Sequence, residues 1–272
     1  MDTFVIAGGN SGIGREVAQE LLAEGHRVIL LGRDEAKGRA ALESFGDARE
    51  RAQFCSVDLS THDGVRAAAQ RVNALTERID GLLHSAADFE TRDVRTVDGL
   101  PLFVALSYMS RYHLTQLLLP KLLMAQKPRV MMIIATLNEV PTFDPQQFPN
   151  FLGFNFWRSI LPVNGACMHF ADYLMKQHSK MFAGTATPGM VRTTLFNKAP
   201  WYLRLFVAIS SPFQAVTLQT AAHNLVRALL GGEGPTALNW NKPGDFDQRF
   251  AITVDPVVQS AIMEASRQAT GV

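Results

Sequence analysis

The segment Gly8-Gly9-Asn10-Ser11-Gly12-Ile13-Gly14 constrains this chain more than any other stretch. It follows a short apolar run, Phe4-Val5-Ile6-Ala7. It precedes residues 12–25, which carry Val17, Leu21 and Leu22 on one helical face and stop at Gly25. Glycines at 8, 12 and 14 remove side chains where a strand must turn sharply into a helix. The first turn of that helix offers unpaired N–H groups and the positive end of its dipole. Strand, glycine turn and helix N-terminus together make a cradle for a pyrophosphate. Glycine spacing alone is a weak signal; its place between a strand and a helix gives it weight.

The rest of the chain repeats the same alternation. Apolar strand runs are expected at 27–31, 53–57, 81–85, 129–135, 181–187 and 236–240. Helices are expected at 34–45, with Asp34 as N-cap, and at 62–78, 103–126, 164–180 and 214–231. Continuous apolar strands alternating with helices predict an α/β fold: a doubly wound parallel sheet with helices on both faces. No linker or repeat interrupts the pattern, so residues 1–272 read as a single domain. The Pro-, Phe- and Trp-rich stretches 137–163 and 193–213 read as elaborations suited to a substrate pocket or lid. A hydrophobic content of 47% with 19% charged residues is enough for such a core. The formal net charge of +1 gives no reason to expect nucleic acid or an anionic membrane as partner. The expected partner is a small molecule, and a homo-oligomer is compatible with the sequence.

Cys55 and Cys167 lie in apolar segments and are expected to be buried, reduced thiols, which suits a cytoplasmic protein. The N-terminal residues show no signal-peptide pattern. The late apolar stretch 201–216 is interrupted by Arg204, Ser210, Ser211 and Pro212, so no membrane span is expected. No Cys, His and Asp cluster has metal-ligand spacing, so no metal is expected.

The end of the second strand, Leu31-Gly32-Arg33-Asp34, speaks to the ligand. Sites for NAD place a carboxylate there for the ribose 2′-hydroxyl. Gly32 removes the carboxylate, and Arg33 offers a guanidinium suited to a 2′-phosphate. The expected cofactor is NADP(H).

These motifs resemble the short-chain dehydrogenase/reductase family and its Rossmann fold. The glycine loop is similar to that family's TGxxxGxG, with Ala7 in place of Thr. Val57-Asp58-Leu59 resembles the adenine-contacting segment, and His84-Ser85-Ala86-Ala87 stands where the family has Asn-Asn-Ala-Gly. Val97-Asp98-Gly99 and Leu114-Thr115-Gln116-Leu117-Leu118-Leu119-Pro120 resemble the retinol-dehydrogenase branch. Pro188-Gly189-Met190-Val191-Arg192-Thr193 matches PGxVxT, which in the family holds the nicotinamide carboxamide. The resemblance therefore implies cofactor contacts at Gly8, Asn10, Ser11, Gly12, Ile13, Gly14, Arg33, Asp58, Leu59, Ser85, Ala86, Pro188, Gly189, Val191 and Thr193.

The catalytic positions depart from the family. Its Asn, Ser, Tyr and Lys hold a water relay, polarise the carbonyl, donate a proton and lower the tyrosine pKa, respectively. Matching Phe170-Ala171-Asp172-Tyr173-Leu174 to the family's middle helix puts Gly165 at the Tyr position and His169 at the Lys position. The Ser position falls on Ala135 or Thr136, and the Asn position on Ser107. Tyr173 lies too close to Pro188 to be the family's tyrosine. Thr136, His169 and Tyr108 are the catalytic candidates, with His113, Asn138 and Glu139 as looser ones. A glycine at 165 is expected to leave a void beside the nicotinamide. Three functions stay open. One is an NADP-dependent oxidoreductase with an altered site, acting on an apolar, fairly large molecule. The others are a redox-neutral cyclase, isomerase or dehydratase, and a non-catalytic NADP-binding sensor or partner protein.

Overall fold

A computed structural model of the chain describes residues 1–142, 144–188, 216–240 and 249–272. Strands β1 (Thr3–Ala7), β2 (Arg27–Gly32), β3 (Ala52–Ser56), β4 (Gly81–His84), β5 (Arg129–Ile133), β6 (Phe182–Ala186) and β7 (Leu238–Trp240) run parallel. A last strand, β8 (Arg249–Ala251), joins β7 antiparallel. The sheet order is β3-β2-β1-β4-β5-β6-β7-β8.

Successive residues of β1 serve opposite faces. Val5 and Ala7 pack with helices α3 (His62–Leu75), α5 (Phe156–Gln177) and α7 (Pro256–Thr270). Phe4 and Ile6 pack with α1 (Gly12–Ala23), α2 (Glu35–Ser44) and α6 (Leu218–Gly231). Both faces are covered, which is why the strands read as unbroken apolar runs rather than alternating ones. The chain winds outward from β1 to β3, then crosses back to β4 on the other side of β1. This reversal opens a crevice at the carboxyl ends of β1 and β4, where ligands of such sheets bind.

The α/β alternation expected from the sequence is present, with differences at particular elements. Helix α4 is continuous but carries a π turn, Ala105–Met109, between Leu102–Val104 and Ser110–Leu122. Helix α5 begins at Phe156 rather than at 164 and contains Pro162. Asn155 caps it by accepting from the Arg158 N–H, and the buried Phe156, Ser159 and Val163 hold the early turns against the core. Packing thus outweighs the cost of a proline inside the helix. The stretch 137–163 is therefore part loop and part helix. The stretch 193–213 lies outside the described residues. β8 and α7 were not expected; α7 has Asp255 as N-cap, Pro256 at its start and Gly271 in the left-handed region at its end.

Among the described residues no helix is long and apolar enough to cross a membrane. None of their His, Cys, Asp and Glu groups could hold a metal ion with three or more ligands.

Candidate active site

The glycine loop is built so tightly that its side-chain-free positions are obligatory. Gly8 has φ +84°, and a Cβ there would sit 2.6 Å from the Ala86 nitrogen. A Cβ on Gly14 would press into the Gly8 carbonyl oxygen. The Gly8 N–H donates to the Leu31 carbonyl at 2.8 Å, pinning the loop to β2. Ser11 is the N-cap residue of α1 but its side chain makes no capping bond. Gly12 also lies in the left-handed region. Ile13 is half-buried at the start of the helix. The cradle that the sequence suggested is thus present as a close-packed backbone turn, and its residues fit a dinucleotide pyrophosphate.

Gly32 has a reason of its own. An added Cβ would lie 2.6 Å from the Asn10 side chain, whose amide donates to the Asp34 carbonyl at 3.2 Å. Asn10 therefore fills the space a carboxylate at position 32 would need. Arg33, the next residue, is exposed. On the adjoining strand ends, Asp58 uses Oδ1 to accept from the Ser60 N–H and hydroxyl, at 2.9 and 2.7 Å, and Leu59 is buried. Ser85 donates its N–H to the Ala7 carbonyl at 2.8 Å, which carries Ala86 against Gly8. Pro188 follows β6 and is half-buried. Gly189, Val191 and Thr193 lie outside the described residues.

The other end of the crevice is assembled from side chains of distant elements. The Ala135 N–H donates to Asn164 Oδ1 at 2.9 Å, and the Ala135 carbonyl accepts from the Thr187 hydroxyl at 3.1 Å. The Leu137 carbonyl accepts from Asn239 Nδ2 at 3.2 Å. Thr136, held between these two clamped residues, is exposed. Gly165 does not leave a void: a Cβ there would lie 2.6 Å from Cγ of Pro141, so the proline ring already fills the space.

Tyr108 lies in the π turn of α4, fully buried, with its hydroxyl 2.9 Å from the Ser266 hydroxyl on α7. Burial pushes its pKa well above the usual tyrosine value. It packs edge-on to Phe148 and near Tyr112 and Phe170. His169 is buried, and its backbone carbonyl accepts from Gln259 of α7 at 2.8 Å. Burial lowers its pKa to about 4, although Asp172 and Asp255 act the other way. Thr136, His169 and Tyr108 thus belong to three different surroundings. His84, where the family has its first Asn, bonds Thr115 at 2.9 Å, and burial holds its pKa well below normal. His113 faces His62 across 3.4 Å between α4 and α3, and burial lowers its pKa to about 4. Asn138 and Glu139 are exposed. Cys55 and Cys167 are both free and buried, and burial raises both thiol pKa values.

Reading the sequence alone missed Arg111, Asn164, Thr187, Asn239 and Pro141. Arg111 carried a weak signal, as one of two charged residues, with Lys121, in helix α4. The others carried none, because only the fold brings them to the end of β5.

A family profile described as short chain dehydrogenase matches residues 2–144, more than half of the chain. The WW domain-containing oxidoreductase of Drosophila melanogaster is 27% identical over 240 residues, which are 82% of this chain and 57% of that longer protein. Retinol dehydrogenase 12 of Homo sapiens is 28% identical over 239 residues, covering 85% of this chain and 74% of the relative. A crystal structure of an uncharacterised protein from Mycobacterium Paratuberculosis superposes with a TM-score of 0.76 at 21% identity, covering 100% of this chain and 94% of the other.

Proposed function

The chain belongs to the short chain dehydrogenase family, and from that footing we propose that it is an NADP(H)-dependent oxidoreductase with an altered active site, acting on an apolar, fairly large carbonyl or alcohol. The observation that carries the cofactor choice is the Asn10–Gly32 packing beside the exposed Arg33. A carboxylate cannot stand at position 32 without displacing Asn10, while the next residue, Arg33, is exposed. A 2′-phosphate is the chemistry those two facts favour.

When bound, the dinucleotide supplies or accepts the hydride. The protein's share is positioning and electrostatics. In this reading the glycine loop and α1 hold the pyrophosphate, Arg33 the 2′-phosphate, and Asp58 and Leu59 the adenine end. Ser85, Ala86, Pro188, Gly189, Val191 and Thr193 hold the nicotinamide end. Thr136 donates its hydroxyl to the substrate oxygen from a backbone that Asn164, Thr187 and Asn239 keep still. A neutral imidazole with a pKa of about 4 is a poor acid at pH 7, so His169 is assigned a packing role and water the proton transfer. Tyr108 is likewise assigned to packing, because its hydroxyl is taken by Ser266. The two buried free thiols support a reducing, cytoplasmic setting.

One observation favours a second reading. With Pro141 seated over Gly165, no phenol among the described residues stands there, and a redox-neutral cyclase, isomerase or dehydratase needs none. Titration of the protein with NADPH and NADH tests the cofactor. NADPH is expected to bind roughly ten- to a hundredfold more tightly, and Arg33→Ala to remove most of that margin. Equal affinities overturn the NADP assignment. Oxidation of NADPH in the presence of long-chain and aromatic aldehydes separates the two readings, since only the first consumes it.

A further inference from the structure

Arg111 of α4 is 3% exposed. One guanidinium nitrogen, Nη1, donates to the Ile133 carbonyl at 2.6 Å and approaches Cys167 Sγ at 3.6 Å; Nη2 lies 3.5 Å from the Ala86 carbonyl. Its Nε is buried without a hydrogen-bond partner among the described residues. None of their carboxylates lies within ion-pair distance of Arg111, whereas Arg15, Arg66, Arg78, Arg92, Arg95 and Arg267 each meet an Asp or Glu. Cys167 does not supply the missing anion. Its thiol donates to the Ser107 carbonyl at 3.3 Å, and burial keeps it protonated despite the neighbouring guanidinium.

The location matters as much as the missing counter-ion. Ala86 abuts the glycine loop, and Ile133 closes the strand that leads to Thr136. The guanidinium therefore joins the dinucleotide cradle to the residue assigned to the substrate oxygen. A full positive charge with carbonyl dipoles but no anion among the described residues projects its field into the crevice between them.

We propose that Arg111 is the positioning cation of this site, binding the reduced, neutral nicotinamide more tightly than the oxidised, cationic one. The proposal rests on the NADP reading above. The physical reason is charge alone. NADP⁺ carries a positive ring that NADPH lacks, while their phosphates are the same, so a fixed cation near the ring discriminates between oxidation states of one dinucleotide. It does so without touching the 2′-phosphate, which is the task given to Arg33. Neutral His84 and His169 cannot contribute such a charge.

The test is the ratio of dissociation constants for NADP⁺ and NADPH, measured by calorimetric titration of the full-length protein. The wild-type protein is expected to bind NADPH roughly tenfold more tightly than NADP⁺. That ratio corresponds to raising the potential of the bound couple by about 30 mV. Arg111→Met should bring the ratio near one. Arg111→Lys, which keeps the charge and loses the fork, should retain most of it. Arg33→Ala should weaken both oxidation states and leave the ratio in place. A merely structural arginine would weaken both dinucleotides equally in Arg111→Met, so an unchanged ratio in a folded variant overturns the proposal. If Arg111→Met does not fold, the wild-type ratio decides: equal or tighter binding of NADP⁺ refutes it. Failure to bind any dinucleotide overturns the NADP reading itself, and is distinguished from tight binding without a redox preference.

Discussion

The two ends of the crevice are made in different ways. At the dinucleotide end, β1, the glycine loop and α1 follow one another in the chain, and the cradle is backbone. Its demands are absolute: a Cβ on Gly8 or Gly14 collides with main-chain atoms that have nowhere to go. At the other end, Thr136 is held by Asn164 from α5, Thr187 from beyond β6 and Asn239 from β7, while Arg111 arrives from α4. This end is side chain, gathered across the sheet. Backbone geometry tolerates almost no change in residue type. A side-chain network can exchange its members while the fold stays the same, which would let a site of the kind proposed here do without a phenol at Gly165 and still keep its cradle.

The contrast predicts unequal responses to substitution. The largest effect is expected at the cradle. Gly14→Val should abolish NADPH binding, or folding with it, because the Gly8 carbonyl cannot retreat; titration and a thermal melt read both. A variant that folds and binds NADPH normally would show that the loop is looser than its packing implies. At the reaction end the fold should survive and only rate should suffer. Thr136→Val is expected to lower turnover with a reducible aldehyde by about 10²–10³-fold, the usual effect of removing one donor to a developing oxyanion. NADPH affinity should stay within about twofold. Loss of affinity with unchanged turnover would move Thr136 from the reaction to the cradle.

A smaller effect concerns the buried histidines. His169 has a folded pKa of about 4 against 6.5 in its ordinary state, so the folded protein excludes a proton that the unfolded chain accepts. Its contribution to stability is therefore present above pH 6.5 and is lost as pH falls toward 4. The loss at pH 5 is about 2 kcal/mol. His169→Gln should flatten this acid limb in a plot of Tm against pH and leave turnover at pH 7 within about threefold. A loss of turnover by about a hundredfold or more would return His169 to the acid–base role. The smallest effect belongs to Tyr173, half-buried on α5. Tyr173→Phe should change NADPH-dependent turnover by less than about twofold. Near-complete loss in a folded, NADPH-binding variant would mean that the phenol is the proton donor after all.

Much of the fold was legible in short stretches of sequence. Strand runs buried on both faces and caps such as Asp34, which accepts from the Lys37 N–H, are local features with local causes. The start of α5 was not legible, because Pro162 argues against a helix that burial of Phe156 and Val163 nevertheless enforces. The signals for α7 were present in Asp255-Pro256 and Gly271, and only β8, three residues on the sheet edge, gave no periodicity to read.

The sequence by itself determined the cradle and supplied the grounds for proposing a 2′-phosphate, because glycines, a helix start and the Gly32-Arg33 pair act within a few residues of one another. Tertiary structure alone decided what stands beside Thr136. It showed that Asn10 packs against Gly32, that Pro141 fills the place read as a void at Gly165, and that Arg111 reaches the Ile133 and Ala86 carbonyls with no carboxylate among the described residues in ion-pair reach. Those outcomes depend on contacts between residues far apart in the chain. Such contacts come from how helices settle on a sheet, and no local pattern of polar and apolar residues encodes where two side chains will meet.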